Sequence, residues 1–201
     1  MKSIDSIATQ EKINDLSSPI NFLLSRRSVS ARLLAPPYPD DMDLSRIIAA
    51  GLRVPDHKGL QPWRIVVMKS KALQNLSHAM KRRAAADQTN SPGWIKQAAI
   101  YANAHLVICC IYAPDIDSNL PEWEQFLSAG AVCVSLVNAA IASGYAASWL
   151  SGGPTEDPSL MPQVSIKPYE QVVGMIHIGS FDKTPPERQR PNLATKVRVI
   201  E

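Results

Sequence analysis

The stretch Gly51-Leu52-Arg53-Val54-Pro55-Asp56-His57-Lys58-Gly59-Leu60-Gln61-Pro62-Trp63-Arg64 ends a helical pattern, makes a loop and opens a strand. Upstream, Leu44, Ile47, Ile48 and Leu52 keep helical spacing behind Asp43, which can cap that helix, and Pro55 ends it. Downstream, Trp63 to Met68 is predicted to be a strand. The loop crowds Arg, Asp, His, Lys and Trp into one turn. Polar groups on a loop held by a rigid scaffold are not consumed by a core or a ladder, so they are available to a ligand.

Working outward, Ser18-Pro19 supplies an N-cap and an N1 proline for a helix running towards Arg26. Pro36, Pro37 and Pro39 then enforce an extended passage. After the first strand, Ser70 is expected to cap an amphipathic helix through Leu73, Leu76 and Met80, with a mobile excursion from Lys81 to Ser91 and a second helix from Pro92 to Tyr101. The run His105 to Tyr112 is the clearest core strand, and Ala113 to Leu120 is a loop. Trp123 begins a long uncharged helix ending near Ser143. A strand from Tyr145 to Leu150, the turn Ser151-Gly152-Gly153-Pro154, a short helix near Asp157 to Met161 and a strand from Val172 to Gly179 follow. The tail from Lys183 to Pro191 is too proline-rich for a helix, and Val197 to Ile200 is expected to add an edge strand. Two helices before the first of four or five strands, with further helices between, point to an α/β or α+β sandwich.

The chain of 201 residues fits one domain. Its 21 Lys+Arg against 18 Asp+Glu leave a net charge of only +3, with no basic run longer than Lys81-Arg82-Arg83, so no nucleic-acid partner is expected. Three cysteines, two of them adjacent, make no framework of paired bridges and point to a reducing compartment. Residues Met1 to Ser17 lack the apolar core of a secretory signal, and the expected location is the cytoplasm. The segment Gln125 to Thr155 has no charged residue and is long enough to span a bilayer, but its Ala, Ser and Gly content and the stop at Gly144 favour a central helix covered by protein on all sides. No membrane association is expected.

Among the chemical constellations, His57, His78, His105 and His177 lack the short fixed spacings of a metal site, and no metal is expected. Asp56 reads as a turn residue. No Ser or Cys lies in a strained nucleophile turn, and Cys109, Cys110 and Cys133 read as core. No strand is followed by a phosphate-cradling glycine-rich turn, which argues against a nicotinamide Rossmann domain. The cations Arg26, Arg27, Arg53, His57, Lys58, Arg188 and Arg190 come from helix ends and loops, and could converge on an anion such as a phosphate.

Three segments taken together are more specific: Arg26-Arg27-Ser28 after a short helix; Ala50 to Lys58 with Gln61-Pro62-Trp63; and Trp123-Glu124-Gln125 leading to Ser128-Ala129-Gly130. From about Pro19 to Asp182 the chain resembles the nitroreductase family of flavoenzymes, most closely a small bacterial branch. The resemblance implies an α+β fold with a central, mostly antiparallel sheet flanked by helices, completed as a homodimer with FMN at the interface. It implies a single domain over residues 18–201, preceded by an extension, residues 1–17, that is disordered or lies across the partner. By the same resemblance Arg26, Arg27 and Ser28 hold the FMN phosphate and ribityl chain, Arg53 and His57 reach the flavin of the partner subunit, and Trp149, Leu150 and Ser151 line it from another side. A C-terminal arginine completes the phosphate site in the wider family, a role for Arg190 or its neighbour Arg188. Many members place Lys two residues after the triplet's Ser, where this chain has Ser30, with Arg32 two further on.

The chemistry implied is ping-pong: hydride passes from NADH or NADPH through flavin N5 to a nitroaromatic, a quinone or a related acceptor. No residue of the chain is then needed as a nucleophile, because the flavin carries the chemistry, and cations at both ends of the flavin would favour its binding and reduction. Relatives of the same fold that oxidise azolines or fragment flavin keep a second reading open, as does a flavin-binding module without turnover. The loops Lys81 to Ser91 and Ala113 to Leu120 could serve as an acceptor-selecting lid or a docking site.

Overall fold

The central strand β2 (Leu106–Tyr112) is buried along its whole length, as its continuous apolar run demands. The computed structural model describes residues 13–87 and 89–200. β2 lies between β1 (Trp63–Lys69) and β4 (Gln171–Gly179), and β3 (Ala146–Leu150) completes a four-stranded sheet of order β1-β2-β4-β3. All three pairings are antiparallel. Side chains alternate across a strand, so β2 feeds two cores. Val107, Cys109 and Ile111 join one with Leu73, Leu76 and Met80 of α3 (Ser70–Ala86) and Trp94, Ala98 and Tyr101 of α4 (Ser91–Asn103). Cys110 points the other way, to the Ala129 carbonyl and Cys133 of α5 (Glu122–Ala142). The three cysteines are free and buried, as read from the sequence. The class is α+β.

α2 (Asp41–Gly51) packs on α5, closely enough that a Cβ on Gly51 would run into the Leu136 side chain. Its cap is Asp40 rather than Asp43. Asp40, extended after Pro39, accepts the Asp43 N–H at 2.8 Å, which leaves the Asp43 carboxylate to take the Tyr145 hydroxyl at 2.7 Å. Ser70 likewise is the first helical residue of α3 and not its cap; its hydroxyl meets His105 Nδ1 at 3.1 Å. The expected excursion from Lys81 is mostly helix, since α3 runs to Ala86 and a tight turn follows. Asp87 makes that turn by accepting from Thr89 and from the Trp94 indole, while Arg83 lies over the Trp94 ring.

α5 is not covered on all sides within the chain. Val132, Cys133, Leu136 and Ala140 are buried, but Trp123, Leu127 and Val134, one stripe at helical spacing, are 63%, 62% and 44% exposed. α2 and strands β2, β3 and β4 pack on other faces of α5.

The 3₁₀ turns Gly153–Thr155, Pro158–Leu160 and Pro162–Val164 lead from β3 to β4. Glu170 fastens this return: its almost fully buried carboxylate takes Arg64 Nε at 2.9 Å and Nη2 at 2.7 Å. Hydrogen bonding to that guanidinium holds Glu170 below the ordinary carboxylate range.

By density of contacts, residues 28–182, which hold the sheet, form one compact unit, and the residues before and after them form another. The latter contains α1 (Pro19–Ser25), capped by Ser18 as expected, and the single turn α6 (Leu193–Lys196), capped by Asn192. Val197 to Ile200 do not form the expected strand; the Asn192 cap turns the chain into α6 and leaves Val197 and Val199 exposed. The expectation for residues 1–12 lies outside the described residues. Asn14 and Asp15 are ordered against α1, taking part in bonds to Ser25 and Arg27.

His177 of β4 is buried against Tyr101, its Nε2 bonded to nothing among the described residues. Burial pushes its pKa down to about 4. An unfolded chain takes up that proton near pH 6.5 and the native state refuses it until about pH 4. The contribution to stability is therefore full above pH 6.5, falls as pH drops through that window and reaches a loss of about 3 kcal/mol at its lower end. His177→Leu is expected to flatten the decline in urea midpoint between pH 7 and pH 4.5; a decline as steep as in the unsubstituted protein would refute this origin.

Candidate functional site

The cations expected at one end of a cofactor do come together. Arg26 caps α1, its N–H bonded to the Phe22 carbonyl at 2.8 Å. Arg27 donates through Nε and Nη2 to the Pro186 carbonyl at 3.2 and 3.0 Å, and Arg190 meets the Glu187 carboxylate at 3.0 Å. Glu187 also lies 3.8 Å from Arg27 Nε. The Arg26 guanidinium is pushed below its ordinary range, first by burial and then by the charges of Arg190 and Arg27. Like charges held this close are unfavourable by themselves. A bound dianion would relieve that repulsion. Arg188 is exposed and only its backbone N–H contacts Glu187, so Arg190 is the C-terminal arginine that joins this group. Half-buried Ser28 follows directly in the chain.

In the unit of residues 28–182, the loop from Leu52 to Pro62 is built as a presented turn. Lys58, Gly59 and Gln61 all have positive φ, of 60°, 69° and 50°. Asp56 pins the turn by accepting the Gln61 N–H at 2.8 Å, the structural role read from the sequence. Ser128 of α5 then holds both ends, donating to the Pro55 carbonyl at 2.8 Å and accepting the Trp63 indole N–H at 3.2 Å. Arg53 is exposed beyond the end of α2, and His57, also exposed, has Nδ1 2.7 Å from Glu124 Oε2. Trp149 and Leu150 end β3, and Ser151 follows in the open. The Trp149 indole lies across Gly174 of β4, so tightly that a Cβ there would occupy the ring's place.

Three residues of this geometry, Ser128, Glu187 and Glu124, had no role in the sequence reading, Ser128 being quoted only within a motif. Glu187 is three residues before Arg190, a spacing that allows the pair, but proline-rich surroundings hid any regular structure. Glu124 stood in a quoted motif without a partner; its partner is 67 residues away in the chain.

Comparison with known proteins then decides the family. The nitroreductase family model matches residues 23–180, most of the chain. The chain belongs to the nitroreductase family. A relative from Escherichia coli K12 described as "Putative NAD(P)H nitroreductase YdjA" is 30% identical over 161 residues, covering 80% of this chain and 87% of that protein. A Haemophilus influenzae relative described as "Putative NAD(P)H nitroreductase" is 30% identical over 159 residues, covering 79% of this chain and 86% of that protein. Among solved structures, a nitroreductase-like protein from Bacillus cereus superposes with a TM-score of 0.79 at 20% identity, covering 94% of this chain and all of that one. The NADPH:FMN oxidoreductase of Vibrio harveyi, solved with NAD+, superposes at 0.70 with 18% identity, covering 90% and 76%. The fold is that of nitroreductases.

Gly174→Ala is expected to lift the Trp149 ring off β4, costing about 1–3 kcal/mol of stability and shifting tryptophan emission to the red. Both changes should shrink in a Trp149→Phe background; equal changes in both backgrounds would show that the ring does not depend on Gly174.

Proposed function

We propose that this chain is an FMN-dependent NAD(P)H oxidoreductase, a cytoplasmic homodimer that passes reducing equivalents to a nitroaromatic, a quinone or a related acceptor. Bound FMN would supply hydride transfer between NAD(P)H and the acceptor in ping-pong order. The observation that carries this reading is the group Arg26, Arg27 and Arg190, whose mutual repulsion favours a dianion such as the FMN phosphate. Ser28 would bond the phosphate or ribityl chain. Trp149, Leu150 and Ser151 would line the flavin ring, the exposed indole giving it an apolar face. Arg53 and His57 would meet the ring from the partner subunit, Arg53 as a fixed positive charge that favours the reduced, more negative ring.

The outward stripe of α5 supports the homodimer. Trp123, Leu127 and Val134 form an apolar helix face uncovered within one chain, the kind of surface a second copy would bury. A Desulfovibrio desulfuricans structure described as a nitroreductase in complex with FMN, and the Vibrio harveyi protein's description as an NADPH:FMN oxidoreductase, support FMN as the cofactor.

The decisive experiment is the absorbance spectrum of the purified protein before and after NADPH under nitrogen. A yellow protein that bleaches is expected, and Arg26→Ala should weaken FMN binding about 10- to 100-fold, the loss of a charge-assisted contact. A colourless protein that takes up no added FMN would overturn the proposal.

A further inference from the structure

The motif Trp123-Glu124-Gln125 leading to Ser128 marks the family resemblance, yet the functional reading leaves Glu124 without a task. Glu124 and Ser128 are four residues apart, so both stand on the face of α5 turned to the loop. Ser128 holds the loop's ends, and Glu124 meets its tip at His57 Nδ1, 2.7 Å away. Gln125 braces the same helix start, accepting the Asp115 N–H at 2.9 Å and donating to the Asp115 and Leu120 carbonyls. The His57 ring is 57% exposed and Glu124 28%, and an ion pair that open to water adds little to stability. Stability therefore does not account for the contact.

Its consequence is chemical. An ionised carboxylate only accepts, so Nδ1 must carry the hydrogen, and the neutral imidazole is held as the Nδ1–H tautomer. Nε2 is then the basic atom, bonded to nothing among the described residues, on an exposed ring of a loop pinned by Asp56 and Ser128. We infer that Glu124 is the positioning residue for His57: it fixes the ring's orientation and tautomer so that Nε2 faces the ligand as an acceptor. This rests on the reading of His57 as a flavin contact. The group it suits is an N–H or O–H donor at the edge of a flavin or of an acceptor. Should negative charge develop there, the same carboxylate would support a proton taken up at Nε2, the role a carboxylate plays behind a histidine in hydrolases.

The test begins with flavin-free protein, labelled with ¹⁵N at histidine, at mildly alkaline pH where histidine rings are neutral. In long-range ¹H–¹⁵N correlation spectra, His57, assigned by its loss in His57→Gln, is expected to show a protonated Nδ1 and a bare Nε2. Glu124→Ala should return it to the Nε2–H form or to averaging between forms. Glu124→Gln, whose amide oxygen accepts the same bond, should restore the original pattern. A bare Nδ1 in the unsubstituted protein, or a Glu124→Ala spectrum identical to it, overturns the inference. FMN titration of the same samples separates the two proposals. Glu124→Ala should raise the FMN Kd about fivefold, the loss of one oriented hydrogen bond, whereas no FMN uptake by the unsubstituted protein, with the Nδ1–H pattern intact, would sink the flavin reading and leave the positioning role standing.

Discussion

The hydroxyl of Ser128 is the joint on which the functional half of the sheet-bearing unit depends. It ties the carbonyl of Pro55 and the indole of Trp63 to one turn of α5, and so fixes where a helix ends and where the first strand begins. The turn between them is costly backbone, with two non-glycine residues, Lys58 and Gln61, at positive φ. Such a turn persists only when its surroundings over-determine it, which Ser128, Asp56 and Glu124 do together. His57 and Arg53 are consequently presented by a scaffold instead of being left on a mobile loop.

α5 can do this because its other side is committed to the core. Cys133, Leu136 and Ala140 are buried, and Gly51 lets α2 approach Leu136 without a side chain between them. The opposite face of the sheet is closed by α3 and α4, which leaves His177 enclosed beside Tyr101. The two ends of the chain carry a different kind of order. Arg26, Arg27 and Arg190 are held close together, with Glu187 against Arg27 and Arg190, an arrangement suited to holding an anion.

Much of this was legible in the residues. Continuous apolar character marked β2, Ser18-Pro19 marked α1, and Pro55 with Gln61-Pro62 marked the loop, because each is a local rule of backbone geometry. Misreadings arose where two local rules competed. Asp40 and Asp43 are both able to cap, and only the Tyr145 hydroxyl 102 residues away shows why Asp43 is engaged elsewhere. The apolar run of α5 gave no hint of which face is outward, since Trp123, Leu127 and Val134 are as apolar as the buried positions. Val197 to Ile200 has the composition of a strand without a ladder to join. In the candidate site, the arginines and His57 were visible as residue types at helix ends, but Glu124 was not, because its meaning lies in a contact that no sequence spacing encodes.

Amide hydrogen exchange on Ser128→Ala shows whether α5 holds the loop. Amides from Asp56 to Gln61 are expected to exchange at least about fivefold faster, the loss of a bond worth about 1 kcal/mol or more, while those of β2 keep their protection. Unchanged exchange in the loop, or equal loss of protection in loop and sheet, would contradict it.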